Sequence, residues 1–390
     1  MKKLSYLLVL MAMVAVSCTD KNATDKVDAA IKEIKSQYAP DSRTKTFEVS
    51  LENGVLKGVT TEQEAITALE QKAAELGLKD SVVLLPHPSL GEKTYGITQQ
   101  SVINIRMKPG YSQESGTQTL MGMPMRILES RDGWIRVVTP EGYIAWVTSG
   151  SVAAVDEAGF DAWKKADKWI VKSYYTILRA NPYDNADVVS DAVMGCTVAK
   201  TGKSEGKYHQ VQLPSGKMAY ILKEDVQDFN EWLASRNLTA ENVIKTAKQF
   251  VGFPYMWGGT SIKGMDCSGF VKTAYFMNGI ILQRDASQQA YTGESVDVTN
   301  GIDNLIPGDL IFFGTPATAE KKERISHVGL YMGEGKFIHC ATSVRINSLI
   351  KGEPDFYNGY AAGVIRAVRV IGNQDTGKDI VSIAKHPWYK

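Results

Sequence analysis

Several features that would mark other classes of protein are scarce in this sequence. The 390 residues include only four cysteines and five histidines, and 44 lysines and arginines nearly balance 43 aspartates and glutamates, so the formal net charge is +1. So few cysteines in so long a chain argue against a disulfide framework. Without a basic field to hold a polyanion, nucleic acid is not an expected partner.

The apolar run over residues 4–16 is too short to span a bilayer, which needs about 20 residues. It follows Lys2-Lys3 and precedes a polar stretch, a pattern typical of an export leader. The sequence Ala15-Val16-Ser17-Cys18 resembles a lipoprotein signal box, so we expect residues 1–18 to be a signal peptide in which Cys18 becomes the lipidated residue. The alternative is an ordinary secretory signal with an incidental cysteine. Both predict export, and the first predicts a lipoprotein anchored on the periplasmic or cell-surface side of an envelope membrane.

The length predicts two or three domains after this leader. We interpret residues 19–92 as a tether with a small helical and hairpin region. They contain helical spacing over residues 25–38, a hairpin turn at Asn53-Gly54, and a second helix over residues 61–77 for which Thr61 is the expected cap.

An internal repeat follows, and it predicts two copies of one small domain at residues 93–156 and 165–229. Short alternating strands separated by Gly/Pro turns favour small β-barrels. The matched positions, 73 or 74 residues apart, are Arg106 and Arg179, Gly122 and Gly195, and Pro140 and Pro214. The pattern resembles bacterial SH3-like domains.

A cysteine at a predicted helix start organises the last third of the chain. Asp266 is a natural N-cap before Cys267, and Phe270, Ala274 and Met277 recur at helical spacing. Unpaired N–H groups and the helix dipole stabilise negative charge there, so we expect Cys267 to ionise more easily than an ordinary thiol and to act as a nucleophile. The alternative is a small buried apolar residue, as most free cysteines are.

Two histidines lie on one predicted hairpin, whose strands are residues 326–331 and 336–341. His327 and His339 are an even number of positions apart, so their side chains share a face and would lie roughly 5 Å apart if directly opposed. A cysteine at a helix start, a histidine base and a second polar group that orients the base make a thiol-protease triad.

Five short motifs follow one another along this region of the chain. They are Tyr255-x-Trp257-Gly258-Gly259, Asp266-Cys267-Ser268-Gly269-Phe270, Pro307-Gly308-Asp309-Leu310, Ser326-His327-Val328-Gly329 and the strand with His339. Over roughly residues 238–370 the chain therefore resembles the NlpC-type papain-like cell-wall peptidases. The segment Arg284-Asp285-Ala286-Ser287-Gln288-Gln289 resembles the dipeptidyl-peptidase VI-like subgroup, which cuts the γ-D-glutamyl-L-diamino acid bond of murein peptides.

This resemblance implies an α+β papain-like domain over residues 238–372, with helices packed on an antiparallel sheet, and a tail at residues 373–390. It implies that Cys267 attacks an amide carbonyl, that His327 shuttles the proton and that His339 orients His327. No cofactor is expected.

The resemblance also suggests residues that stabilise the oxyanion and bind the substrate. Tyr255 and the Cys267 backbone N–H are expected at the oxyanion, whereas Trp257 is expected to be a core aromatic. In the subgroup a free L-Ala amine is held by acidic and hydroxyl groups, and Asp285 matches the family position for this role. The resemblance suggests four further substrate-binding candidates: Asp266 and Ser268 beside the nucleophile, and Tyr143 and Glu114 of the first SH3-like domain at one end of the cleft.

The expected activity is hydrolysis of the γ-D-glutamyl-L-diamino acid bond in murein peptides with a free N-terminal L-Ala, in peptidoglycan recycling or remodelling. Three alternatives remain open: the same chemistry on intact peptidoglycan, an amidase or acyltransferase of the same fold, and a wall-binding protein without activity. A zinc site with His327, His339 and a cysteine lacks paired-ligand spacing, so no metal is expected. Cys340 is expected in the core, on the strand face opposite to His339.

Overall fold

The computed structural model describes residues 21–360, 362–377 and 379–389, so the predicted leader and Cys18 lie outside the described residues. Within these ranges no helix is both long and apolar enough to cross a bilayer. The chain divides after Leu85 into two compact units.

The first unit has two helices and a three-stranded sheet. Its elements are α1 (Lys21–Tyr38), β1 (Phe47–Glu52), β2 (Val55–Thr60), α2 (Gln63–Leu76) and β3 (Lys79–Leu84). The hairpin of β1 and β2 and both helices were predicted from the sequence, and the structure confirms them. The strand β3 was missed, and it pairs in parallel with β2 across the α2 crossover. The unit buries a core of its own, so the segment is more than a tether.

The predicted cap of α2 is wrong by one residue. Glu62, not Thr61, occupies the N-cap position, and it makes no side-chain capping bond. The Thr61 hydroxyl instead accepts a hydrogen bond from the Thr46 backbone N–H at 3.0 Å, because the end of β2 lies beside the start of β1.

The second unit begins with two seven-stranded antiparallel sheets separated by a short helix. The first sheet contains β4 (Tyr95–Thr98), β5 (Val102–Arg106), β6 (Ser115–Leu120), β7 (Pro124–Arg131), β8 (Trp134–Val138), β9 (Ile144–Thr148) and β10 (Val152–Val155). After α3 (Glu157–Lys165), the second contains β11 (Lys168–Val171), β12 (Tyr175–Arg179), β13 (Val188–Val193), β14 (Thr197–Glu205), β15 (Tyr208–Gln212), β16 (Met218–Leu222) and β17 (Val226–Asp228).

The two sheets are copies of one arrangement. Their strand orders, β10-β4-β7-β8-β9-β5-β6 and β17-β11-β14-β15-β16-β12-β13, correspond strand for strand. Arg106 pairs with Trp146 and Arg179 pairs with Tyr220, and each arginine also donates a hydrogen bond to the carbonyl seven residues further on. Among the described residues the two outer strands of each sheet do not pair, so the SH3-like domains are open, barrel-like sheets.

The C-terminal domain follows α4 (Phe229–Ala234) and is α+β, as predicted. Its elements are α5 (Ala240–Lys248), β18 (Thr260–Ser261), β19 (Gly264–Met265), α6 (Cys267–Phe276), β20 (Ile280–Ile281), α7 (Ala286–Gln289), β21 (Glu294–Val296), β22 (Leu310–Thr315), β23 (Arg324–Gly333), β24 (Lys336–Cys340), β25 (Val344–Ser348), β26 (Arg366–Arg369) and β27 (Val381–Ser382). Six of the strands form an antiparallel sheet in the order β21-β26-β22-β23-β24-β25.

Helix α6 is the centre of this domain. Every one of its residues is buried, and it packs against the even-numbered side chains of β23 and β24, such as Val328 and Ile338. Thr239 caps α5 and Asp266 caps α6, each by accepting a hydrogen bond from the backbone N–H three residues ahead, and the Asp266 cap is the one that the sequence predicted. The helix start is thereby fixed beside the sheet that carries both histidines.

Candidate active site

Cys267 is the first residue of α6, and its side chain is buried against β23. The Asp266 carboxylate accepts the Gly269 N–H at 2.7 Å and so fixes this helix start. The backbone N–H groups of Val328 and Ser268 face the Cys267 sulfur and favour its ionised form, so the thiol lies against the β23 backbone at the residue that follows His327.

The structure contradicts the expectation of a thiol that ionises easily. Burial, together with the negative charge of Asp266, raises the pKa of Cys267 to about 12, and the backbone N–H groups only partly oppose this effect. Desolvation of the thiolate therefore outweighs the helix start. In the unliganded protein the proton stays on the sulfur, and a base must remove it during the reaction.

His327 and His339 are in direct contact, as the sequence predicted. The Nε2 atom of His327 lies 2.7 Å from Nδ1 of His339, and the Nε2 atom of His339 lies 2.9 Å from Oδ1 of Asn347. Asn347 was missed. It lies on β25, eight residues after His339, and this even spacing across two adjacent strands could have indicated a shared face.

The hydrogen bonds of Asn347 determine which nitrogen of each histidine carries its proton. The Asn347 amide nitrogen donates to the Asp355 carbonyl at 2.8 Å, so its oxygen must be the atom that faces His339. His339 therefore donates through Nε2 and accepts through Nδ1. His327 then donates through Nε2, which leaves its Nδ1 unprotonated. The chain of bonds thus prepares His327 Nδ1 to accept a proton.

The two histidines are diagonal neighbours and are not directly opposed. The pairing of Leu330 with Ile338 puts Gly329, not His327, opposite His339. A Cβ atom on Gly329 would lie 2.6 Å from the Phe337 ring and 3.4 Å from the His339 Cβ. A glycine is required at 329 because a side chain there would push both rings out of place.

Aromatic residues bury the histidine pair. The rings of Tyr357 and Tyr360 stack on His327, with centroids 6.1 and 5.9 Å away, and Tyr357 meets His339 edge-on at 4.7 Å. Burial, reinforced by the charges of His339 and Arg345, lowers the pKa of His327 to about 3. Burial also lowers the pKa of His339 to about 4. Both rings are therefore neutral at neutral pH.

Tyr255 and Cys340 both lie close to the nucleophile. Burial and the nearby Cys267 and Asp266 raise the pKa of the Tyr255 hydroxyl, so it remains a hydrogen-bond donor. Cys340 is fully buried, and its sulfur donates to the Met265 carbonyl at 3.1 Å, which confirms the prediction that it is a core residue.

Asp266 and Ser268 are occupied by internal partners. Arg284 binds both oxygens of the Asp266 carboxylate, and it also donates to the Ser268 hydroxyl at 2.9 Å. One Asp266 oxygen further accepts the Gly258 N–H at 3.0 Å. These internal hydrogen bonds argue against the expected contact of Asp266 and Ser268 with the substrate. Asp266 has a positioning role instead. The sequence motif contained Arg284 but gave no sign that it would be buried here.

Asp285 is the N-cap of α7, next in the chain to buried Arg284. Its own backbone N–H donates to Gln288 Oε1 at 3.2 Å, and its side chain is 28% exposed. The Asp285 carboxylate therefore reaches solvent on the side of the domain where Arg284 supports the nucleophile loop.

The first SH3-like domain contacts the loop before the nucleophile. Trp257 Nε1 donates to Glu114 Oε1 at 2.9 Å, and Trp257 is 63% exposed, so the prediction of a core aromatic is wrong. Gly258, at φ +77°, approaches the Ser115 backbone so closely that a Cβ would lie 2.4 Å from its carbonyl oxygen. Tyr143 is buried in the core of the first SH3-like domain, and its hydroxyl acts electrostatically on Arg284.

Within the residues that the structure describes, no three His, Cys, Asp or Glu side chains are grouped so that they could hold a metal ion.

A cysteine at a buried helix start and a histidine pair on the antiparallel sheet against which this helix packs are the arrangement of a papain-like cysteine peptidase. Residues 252–362 match the model of the NlpC/P60 family, and residues 105–152 match the bacterial dipeptidyl-peptidase Sh3 domain. The chain belongs to the NlpC/P60 family.

Its relatives include a Bacillus cereus protein named gamma-D-glutamyl-L-lysine dipeptidyl-peptidase, 31% identical over 63% of this chain and 73% of that protein. Dipeptidyl-peptidase 6 of Lysinibacillus sphaericus is 28% identical over 68% of this chain and 95% of that protein. The crystal structure of an NlpC/P60 family protein from Bacillus cereus covers 71% of this chain and 99% of its own, with a TM-score of 0.59 and 24% identity, and so shares the fold.

Proposed function

We propose that this protein hydrolyses the γ-D-glutamyl-L-diamino acid bond of murein peptides that carry a free N-terminal L-Ala. The observation that carries the proposal is the bond chain from Asn347 through His339 to His327, the residue that precedes Val328, whose backbone N–H faces the Cys267 sulfur. The named activities of the relatives support the choice of bond.

The mechanism uses a neutral thiol and a neutral imidazole. His327 Nδ1 takes the Cys267 proton as the sulfur attacks the γ-carbonyl carbon of D-Glu, and the resulting imidazolium is stabilised by its Nε2–H bond to His339. The Cys267 backbone N–H and the Tyr255 hydroxyl stabilise the oxyanion. The imidazolium then protonates the departing amine of the diamino acid. Water, deprotonated by His327, hydrolyses the thioester and releases L-Ala-D-Glu.

The amine of L-Ala is bound by acidic groups at the end of the cleft nearest the first SH3-like domain. Glu114 is held there by Trp257, and Asp285 is partly exposed beside Arg284. A cationic amine between these carboxylates gains charge-assisted hydrogen bonds that an acylated amine cannot make. The Tyr143 hydroxyl, near Arg284, closes this end of the cleft.

Mass spectrometry of products tests the proposal directly. The protein is incubated with L-Ala-γ-D-Glu-meso-diaminopimelate, with the same peptide acetylated at its amine, and with cross-linked sacculi. We expect L-Ala-D-Glu from the free-amine peptide alone, and none from Cys267→Ala, which preserves the buried volume almost unchanged.

Other outcomes would redirect the assignment. Equal cleavage of the acetylated peptide would keep the peptidase and remove the amine specificity. Release of peptides from sacculi would favour action on intact peptidoglycan. No cleavage of any of the three would favour an amidase, an acyltransferase or a wall-binding protein.

We also propose that the enzyme is exported and that a lipid on Cys18 attaches it to a membrane. The apolar run at residues 4–16 and the box that ends at Cys18 support export and lipid attachment. Metabolic labelling with a palmitate analogue is expected to mark the wild type and not Cys18→Ser.

A further inference from the structure

Arg345 has a position that the catalytic mechanism does not use. It lies on β25, directly opposite His339 in the register of β24 and β25, so the two side chains share one face of the sheet. Strand β25 is the outer strand of the sheet, and Arg345 is exposed there. Its positive charge acts on His327, His339 and Tyr357.

The Arg345 guanidinium makes no hydrogen bond or ion pair with any described residue. Other arginines of the same sheet are paired: Arg366 with Glu323 and Arg369 with Asp309, both at 2.9 Å. An unpaired arginine next to a histidine pair disfavours protonation of the base, which is a cost to catalysis unless an anion neutralises it. A planar guanidinium suits a carboxylate because it can donate two parallel hydrogen bonds.

The direction in which the substrate lies across the site brings a carboxylate of the substrate toward Arg345. Under the proposed function, on which this inference rests, the L-Ala amine lies at Glu114, on the side of the first SH3-like domain. The chain of the substrate then passes Cys267. The residue after the scissile bond continues beyond His339, toward β25.

We propose that Arg345 binds a carboxylate of the diamino acid that follows the scissile bond. Two carboxylates are candidates: the side-chain carboxylate, which meso-diaminopimelate has and L-Lys lacks, and the main-chain carboxylate of a tripeptide. Binding of either one neutralises Arg345 at the moment when His327 must accept a proton, so the same contact that selects the substrate also assists the base.

Four peptides distinguish binding of the side-chain carboxylate from binding of the main-chain carboxylate. All begin with L-Ala-γ-D-Glu; they end in meso-diaminopimelate, in L-Lys, or in either residue with its main-chain carboxylate converted to the amide. The values of kcat/KM are compared for the wild type, Arg345→Gln and Arg345→Lys. Arg324→Gln is the matched control, because Arg324 is also exposed, on β23, and pairs with no side chain in the described part of the chain, but its charge does not act on the histidine pair.

We expect Arg345→Gln to lower kcat/KM about 10- to 100-fold for peptides with the bound carboxylate and to have little effect on those without it. Arg345→Lys keeps the charge and should recover part of the loss. Loss confined to the two diaminopimelate peptides identifies the side-chain carboxylate, and loss confined to the two free acids identifies the main-chain carboxylate.

An equal decrease for all four peptides, or none, overturns the assignment of Arg345 while the peptidase remains. Failure of the wild type to cleave any of them overturns the proposed function, and this inference with it. The two failures are therefore distinguishable.

Discussion

The Arg284 guanidinium binds both carboxylate oxygens of Asp266, through Nη2 at 2.6 Å and Nη1 at 3.2 Å, in the buried turn before the nucleophile. Burial alone would lower the pKa of Arg284, but the Asp266 charge overcomes this effect and raises it, so Arg284 stays protonated. The pair holds Asp266 where it caps α6 and where it opposes ionisation of Cys267. The position of the Cys267 thiol and its ionisation thus both depend on the Arg284–Asp266 ion pair.

Arg284→Met is expected to destabilise the protein by about 3–5 kcal/mol, because Asp266 is left as a buried charge without its partner. Arg366→Met removes the partially exposed pair with Glu323 and should cost about 1 kcal/mol or less. Thermal and denaturant unfolding of both variants measures the difference. Similar losses for the two would show that the Arg284 pair has no special structural role.

Asn347→Ala should lower kcat about 10- to 100-fold, because His339 loses the acceptor that fixes its protonation and its orientation. Asn347→Asp retains an acceptor for the same Nε2–H and should keep more activity than the alanine variant. Kinetics on the free-amine tripeptide give both values. If the aspartate variant is as impaired as the alanine variant, loss of the hydrogen bond that Asn347 Oδ1 accepts from His339 does not explain the lower kcat.

The acid limb of the pH profile of kcat/KM should lie below pH 5. In the proposed mechanism the base is neutral His327, and protonation would inactivate it. Since burial lowers its pKa to about 3 and that of His339 to about 4, the neutral form persists well below the ordinary value of 6.5. The measurement is kcat/KM from pH 3.5 to 8, on enzyme shown by circular dichroism to remain folded. An acid limb near 6.5 would mean that the histidine pair is hydrated in the working enzyme.

Glu114→Gln is expected to raise KM for the free-amine peptide and leave kcat nearly unchanged. Glutamine keeps an oxygen that can accept from Trp257 Nε1, so the contact in the structure survives while the charge is lost. Asp132→Asn, on an exposed turn of the same domain, is the control. An unchanged KM would remove Glu114 from the amine site.

Gly329→Ala should reduce activity far more than its loss of stability explains. The new methyl group collides with Phe337 and crowds His339, and overpacking of this kind costs about 1–3 kcal/mol. Unfolding and kinetics are measured on the same preparation. Normal kcat together with normal stability would show that the hairpin tolerates a side chain opposite His339.

The sequence by itself determined the elements whose signals are local. Helical spacing and an N-cap located α6 with Cys267 at its start, and strand parity put His327 and His339 on one face. The repeat of two SH3-like domains was visible because equivalent positions recur at a fixed offset.

The tertiary structure alone decided what depends on burial and on partners distant in the chain. The thiol pKa is raised because Cys267 is desolvated beside Asp266, which spacing cannot reveal. Arg284 and Asp266 meet across 18 positions, and exposed Trp257 donates a hydrogen bond to Glu114, 143 positions away. Desolvation and long-range contacts are properties of the packed chain, so they set the reactivity of a site that the sequence could only locate.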